Sequence, residues 1–173
     1  MIRTIGIDPG SRNTGYGVVE GDGQRLCLVA RGVIRMSSSL PFAERLKAIY
    51  EGLTAVIAEA SPQSMAIEDV FLAKNVQSAL KLGQARGAAM LAGVNAGLPV
   101  HEYTALQVKQ AVVGYGKAAK EQVGEMIGYL FHLRESLDPN TADALAVAVC
   151  HLNTQASHTR WRLPGVRSDG SGK

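Results

Sequence analysis

The opening stretch Arg3-Thr4-Ile5-Gly6-Ile7-Asp8-Pro9-Gly10-Ser11-Arg12-Asn13-Thr14-Gly15-Tyr16-Gly17-Val18-Val19-Glu20 decides how the fold begins. Residues 3–7 are β-prone, Asp8 to Gly15 is dense in turn formers, and Tyr16 to Glu20 resumes a strand pattern. Gly21-Asp22-Gly23 then turns the chain into Leu26 to Ile34, so three consecutive antiparallel strands are expected. Working outward, Pro41 starts a helix on which Phe42, Leu46, Ile49, Leu53 and Val56 recur at helical spacing. Ser64 to Glu68 reads as a short buried strand, and Asn75 to Ala96 as a helix rich in Gly and Ala. Pro99 to Tyr103 is a fifth strand, and Thr104 caps a helix running to Val113. Gly114-Tyr115-Gly116-Lys117 interrupts the pattern before a helix from Ala118 to Leu133. Asp138 and Pro139 have the residue types of an N-cap and first turn for a last helix. This order describes an α/β architecture on a mixed sheet.

A chain of 173 residues is long enough for one cored domain. The expected boundary is 1–153 for the domain and 154–173 for a disordered tail rich in Ser, Gly, Arg and Pro. Apolar runs are broken well before the roughly 18 residues a membrane span needs, and no signal-peptide pattern opens the sequence, so a cytoplasmic location is expected. Cys27 and Cys150 sit in apolar runs without metal-ligand spacing and read as core thiols. Residues 1–153 hold 14 Lys and Arg against 14 Asp and Glu, and residues 154–173 hold four against one, giving the net +3 of the whole. Within the neutral body, Lys74, Lys81, Arg86, Lys109, Lys117 and Lys120 face only Glu102 between residues 71 and 120, a charge pattern suited to a polyanion.

Three acids stand out by position. Asp8 ends the first strand at a glycine-bearing turn, Glu68 ends the fourth strand, and Asp143 lies early in the last helix, three residues after Asn140 and on its face. Taken singly, Asp8 is an ordinary turn former and Asp143 an acid favoured by a helix dipole. Strands one and four are usual neighbours in such a sheet, and a terminal helix docked beside their ends brings the three carboxylates together. Ionised carboxylates repel, so their convergence calls for a hard cation such as Mg²⁺ or Mn²⁺. Two such ions suit phosphodiester hydrolysis, the chemistry of a nuclease.

The same residues carry a family resemblance: Gly6-Ile7-Asp8-Pro9-Gly10-Ser11 with Thr14-Gly15-Tyr16-Gly17, Ile67-Glu68 with Val70-Phe71 and Ala73-Lys74-Asn75, Ala79 to Gly87, Gln107-Val108-Lys109-Gln110, and Ala142-Asp143-Ala144-Leu145-Ala146. In this order, over residues 2–153, they resemble the bacterial RuvC family of Holliday junction resolvases. The resemblance implies an RNase H-like fold with a five-stranded mixed sheet and helices on both faces. It further implies a homodimer, a four-way DNA junction as substrate, Mg²⁺-dependent symmetric nicking with two ions per site, Mn²⁺ as a substitute, and work beside the RuvA and RuvB branch-migration proteins. Asp8, Glu68 and Asp143 match the family's metal-binding acids, Phe71 matches an aromatic near the crossover, and Lys109 and Lys120 match basic residues near the cut strand.

One position departs from the pattern. Where the family usually has a fourth acid, or a histidine, this chain has Asn140. An amide ligates magnesium weakly and brings no charge, so an impaired second metal site is expected, natural or introduced. Asp138 is no substitute because five helical residues turn it about 140° away from Asp143 and it serves as the cap. His132 and His151 read as packed side chains. The alternatives are a junction-binding module that does not cut and a resolvase-like RNA-processing nuclease. An actin-like ATPase is a more distant reading, since Asp8-Pro9-Gly10 resembles a phosphate loop but 173 residues are too few for two closing domains.

Overall fold

The computed structural model describes residues 1–22, 24–69 and 75–161, with side chains to Ser157. Strands β1 (Ile2–Asp8), β2 (Asn13–Gly21) and β3 (Leu26–Arg35) form the antiparallel meander, followed by α1 (Phe42–Ala60), β4 (Ser64–Asp69), α2 (Val76–Asn95) and β5 (Val100–Thr104). Helices α3 (Ala105–Val113), α4 (Lys120–Leu130) and α5 (Pro139–Trp161) complete the chain. The sheet order is β3-β2-β1-β4-β5, antiparallel across β1–β2–β3 and parallel across β1–β4–β5. It is the five-stranded mixed sheet of an RNase H-like fold.

Strand periodicity sorts the side chains into two cores. Ile5 and Ile7 of β1, with Met65 and Ile67 of β4, pack against Ile49 and Leu53 of α1 and the alanines of α2. Ala66 instead faces Leu145, Ala146 and Val149 of α5, together with Val108 and Ile127 from the other helices. The sheet therefore has helices on both faces. The burial of α5 from Ala144 to Leu152 is possible because β1 and β2 present glycines to it. An added Cβ on Gly6 would stand 2.1 Å from the Ala144 carbonyl oxygen, one on Gly15 2.1 Å from that of Asn140, and one on Gly17 2.5 Å from the Leu145 side chain. Gly6–Gly17 and Asp8–Gly15 are cross-strand partners, so these small residues form one smooth patch beneath the start of the helix.

Several expectations are corrected here. The β1–β2 turn is shorter than its composition suggests, because Asn13, Thr14 and Gly15 already belong to β2. Thr14 is buried and closes the turn by donating to the Gly10 carbonyl at 2.9 Å while accepting from Gly10 N at 3.3 Å. Cys27 is exposed and only Cys150 is buried, since alternation along the outer strand β3 turns Leu26 and Leu28 toward the core and Cys27 away. His132 is not on a helix, standing instead in the turn that ends α4 at φ 50°. Helix α5 continues to Trp161, eight residues past the boundary expected at 153. No helix among the described residues is long and apolar enough to cross a membrane.

Candidate active site

The register of two parallel strands places the first two acids. Ile7 pairs with Ile67, so Asp8 and Glu68 follow side by side at the carboxyl ends of β1 and β4. Because Ile7 and Ile67 face α1 and α2, the next residue on each strand faces α5. Asp143 on α5 meets them there. The three carboxylates sense one another: burial, then Asp143, then Glu68 push the Asp8 carboxyl up to about 7. Burial and Asp143 raise Glu68 in the same direction. The raising of Asp8 and Glu68, by burial and by the acids beside them, is the signature of carboxylates gathered in a partly dry site.

Two lysines balance them. Lys120, the first residue of α4, reaches Asp143 Oδ2 with its ammonium at 2.5 Å, and this contact raises the lysine further. Lys109 on α3 lies near enough to Glu68 to oppose its shift. A cavity of about 220 Å³ is lined by Glu68, Lys109, Lys120 and Asp143 over an apolar floor of Val108, Val123 and Val147. The capping box at Thr104, whose hydroxyl accepts from Gln107 N while the Gln107 side chain returns to the Thr104 amide, fixes the start of the helix that carries Lys109.

The remaining sequence-predicted residues are placed as follows. Asn140 lies one turn before Asp143, and its amide nitrogen donates to Asp138 Oδ1 at 3.0 Å. The same oxygen accepts from the Asn140 backbone at 2.9 Å, and the other carboxylate oxygen pairs with Arg35 at 2.8 Å. Asp138 is thus the cap expected, held below the usual carboxylate range by these donors. Arg86 is brought to the site's edge but faces the protein: Nε donates to the Glu68 carbonyl at 3.2 Å, and Nη2 bonds Glu102 and lies 3.7 Å from Asp69. Lys81 and Lys117 are exposed, on α2 and before α4. Phe71 and Lys74 lie outside the described residues.

Sequence reasoning passed over a buried polar ladder behind the acids. His151 of α5 is fully buried, with Nε2 3.1 Å from Ser64 Oγ and Nδ1 2.8 Å from the Tyr103 hydroxyl. Ser64 Oγ in turn lies 2.9 Å from Thr4 Oγ1, so the ladder spans β1, β4, β5 and α5. Burial, followed by the neighbouring His101, lowers His151 to about 4, so it is a neutral strut at physiological pH. Polar residues inside otherwise apolar runs, Thr4 and Ser64 among them, were the available signal.

As the side chains stand, no three His, Cys, Asp or Glu groups among the described residues close around one ion, and Asp143 is paired with Lys120. The donor chemistry nevertheless fits a hard cation, being carboxylate oxygen throughout, with Asp8 and Glu68 raised by burial and then by neighbouring acids whose repulsion a cation relieves.

A family model described as crossover junction endodeoxyribonuclease RuvC matches residues 4–151, from within β1 through the part of α5 that bears Asp143. The chain belongs to the RuvC family. Among relatives, the crossover junction endodeoxyribonuclease RuvC of Pelobacter propionicus is 63% identical over 153 residues, covering 88% of this chain and 87% of that one. The protein of the same name from Geobacter metallireducens is 62% identical over 153 residues, covering 88% and 93%. Among solved structures, Thermus thermophilus RuvC in complex with a Holliday junction substrate superposes with a TM-score of 0.87 at 36% identity, covering 92% of this chain and 98% of that one. The RuvC family and the RNase H-like fold expected from the motifs are both confirmed.

Proposed function

We propose that this chain is a structure-selective endodeoxyribonuclease that resolves four-way DNA junctions by nicking two symmetry-related strands in recombination and repair. The observation that carries the reading is the meeting of Asp8, Glu68 and Asp143 with Lys109 and Lys120 at the ends of β1 and β4, in a member of this family. Residues 1–153 constitute the nuclease domain, with the start of the 154–173 segment continuing α5.

Asp8, Glu68 and Asp143 would hold Mg²⁺, or Mn²⁺ in its place, with two ions for full activity. When bound, such ions supply an activated water and stabilise the leaving oxygen of the phosphodiester. The chain's own residues do the rest. The carboxylates fix the donor frame on rigid strand ends, the apolar floor of the cavity limits water, and Lys109 and Lys120 hold the phosphate against the acids. Lys81 and Lys117 add attraction for the DNA arms, while Arg86 braces Glu68. Asn140 would leave the activity intact, since its amide is engaged by Asp138 and three acids remain to hold the metal.

A second copy fits the outer face of α2. Val76, Leu80, Leu91 and Val94 are 55–77% exposed there, and between them a Cβ added to Gly83 or Gly87 would meet nothing within 4 Å. An isologous contact through this stripe would give two sites for two nicks. Action beside RuvA and RuvB rests on family membership alone.

The test is a synthetic four-way junction and a linear duplex of the same sequence, incubated with the chain and with Asp8→Asn in Mg²⁺ and in Mn²⁺. Paired nicks in the junction alone, lost in Asp8→Asn, are expected. Binding without nicking in either metal would favour a non-cutting module, and cutting of an RNA substrate in preference to the junction would favour RNA processing.

A further inference from the structure

A larger cavity of about 720 Å³ opens beside the acids, between α4, the turn after it and the start of α5. It shares Lys120 and Asp143 with the smaller cavity, so a strand lying on the acids passes directly along its mouth. We propose that this cavity is a nucleobase-binding site, taking one unpaired base of the cut strand next to the scissile phosphate. The inference rests on the junction-nuclease reading and adds to it the residues that select where the strand is cut.

Three features point to a flat, neutral, aromatic guest. First, α4 keeps Gly124 and Gly128 on the wall of the cavity, where a Cβ on Gly128 would meet nothing within 4 Å and one on Gly124 only Ala142 at 3.9 Å. Glycine inside a helix is less favourable than alanine by about 0.5–1 kcal/mol, and no neighbour demands it here. The two glycines, one turn apart, hold open a slot that side chains would fill.

Second, the mouth carries two rings. Tyr129 is 75% exposed, and its ring centroid lies 6.4 Å from that of His132. His132 occupies a position that glycine usually takes. Leu133 N bonds the Gly128 carbonyl and His132 N the Tyr129 carbonyl, the paired bonds of a helix end whose residue at φ 50° is normally without a side chain. A ring is therefore held at the slot against a backbone preference.

Third, the charges divide the labour. Lys109 lines the acid site alone and Lys120 stands where the two cavities meet, whereas Glu121, Glu125 and Glu135 line the larger cavity with Arg134. Those carboxylates repel a phosphate but accept from the ring N–H or exocyclic amine of a base. An unpaired base also has the π-face that Tyr129 and His132 can stack on.

The experiment places 2-aminopurine on either side of the scissile phosphate of a four-way junction and reads its fluorescence with the full chain in EDTA, where nothing is cut. Junction affinity and, in Mg²⁺, the sequence preference of nicking are measured in parallel for the wild-type chain, Gly128→Leu, Tyr129→Ala and His132→Gly. A fluorescence change at one position is expected, lost on filling the slot with Gly128→Leu and reduced by Tyr129→Ala. Affinity should fall about 5- to 150-fold, with cut-site preference flattened. His132→Gly should melt higher than the wild type while showing the same loss of preference. If the wild-type chain nicks the junction but all three variants keep its fluorescence, affinity and preference, the base site is overturned and the nuclease reading stands. If the wild-type chain neither binds nor nicks the junction, both fall.

Discussion

Asp8 is the residue whose surroundings most constrain the chemistry. Its carboxyl titrates near 7, raised by burial and by Asp143 and Glu68. A carboxyl raised in the folded state favours folding below its ordinary range, near 4, and that contribution is lost as pH rises through about 7. The lowered His151 acts with the opposite sign up to its ordinary range, so the effect is read as a difference: relative to Asp8→Asn, the metal-free wild type should lose thermal stability from pH 5 to about 7, and Asp8→Asn should melt higher at pH 8. Calorimetric melts in EDTA across this range check it; a parallel slope in Asp8→Asn would show that Asp8 is not the titrating group. Divalent metal competes with the same proton, so its apparent affinity should climb with pH through about 7. Asn140 gives a second prediction. Its amide donates to Asp138, and an acid there would set two carboxylates against each other. Asn140→Asp should lower metal-free stability by about 1 kcal/mol and recover it on adding Mg²⁺, read as the difference between melts with and without the ion. Both acids at the strand ends were legible in the sequence because strand alternation and parallel pairing fix their direction. The partner of Asn140 was legible only in part, since the cap at Asp138 follows from residue type but its bond to the amide depends on a rotamer.

Among the elements, α5 and β4 do most to set the site, and each is secured by groups that carry no chemistry. The start of α5 lies on the patch formed by Gly6, Gly15 and Gly17, so Gly6→Ala should force helix and sheet apart and destabilise by about 3 kcal/mol or more. Such a variant should fail to fold or melt far lower, and a wild-type denaturant midpoint would contradict the close approach. The end of β4 is braced from α2 by Arg86, only 18% exposed at its side chain. A brace and a DNA contact make opposite predictions. As a brace, Arg86→Gln should lower the nicking rate at saturating junction while leaving affinity and its salt dependence unchanged. Arg86→Lys should not restore the rate, because an ammonium lacks the fork that serves three acceptors. A DNA contact would instead weaken binding and flatten the salt slope by about one unit. The sequence singled out Arg86 by charge alone, and charge does not say whether a cation faces solvent or three backbone and carboxylate oxygens. That knowledge depends on how α2 crosses the ends of β4 and β5. The outward turn of Cys27 was missed for a related reason, since helices cover the outer strand only in part and apolar neighbours in sequence do not reveal which positions stay bare.

At the scale of the molecule, every group in the acid site comes from one chain: Asp8 and Glu68 from the sheet, Asp143 from α5, and Lys109 and Lys120 from α3 and α4. In the proposed dimer the partner is therefore not needed to assemble a site, and its part would be to place a second site on the same junction. The exposed stripe of α2 lies on the sheet face opposite α5, so a contact there would leave both acid sites open. Introducing charge on the stripe separates the two requirements. Leu80→Glu with Leu91→Glu, both at exposed positions, should leave the melt close to wild type and convert the protein to a monomer in sedimentation. The monomer should still nick one strand of a junction in Mg²⁺, but the second nick should become independent of the first, so that singly nicked molecules accumulate where the wild type yields paired cuts. A supercoiled plasmid carrying an extruded cruciform reads this directly, since paired nicks linearise it and a single nick only relaxes it. Retention of paired cutting by a sedimenting monomer would remove α2 from the interface, and loss of all nicking would mean that the partner supplies something the single chain lacks.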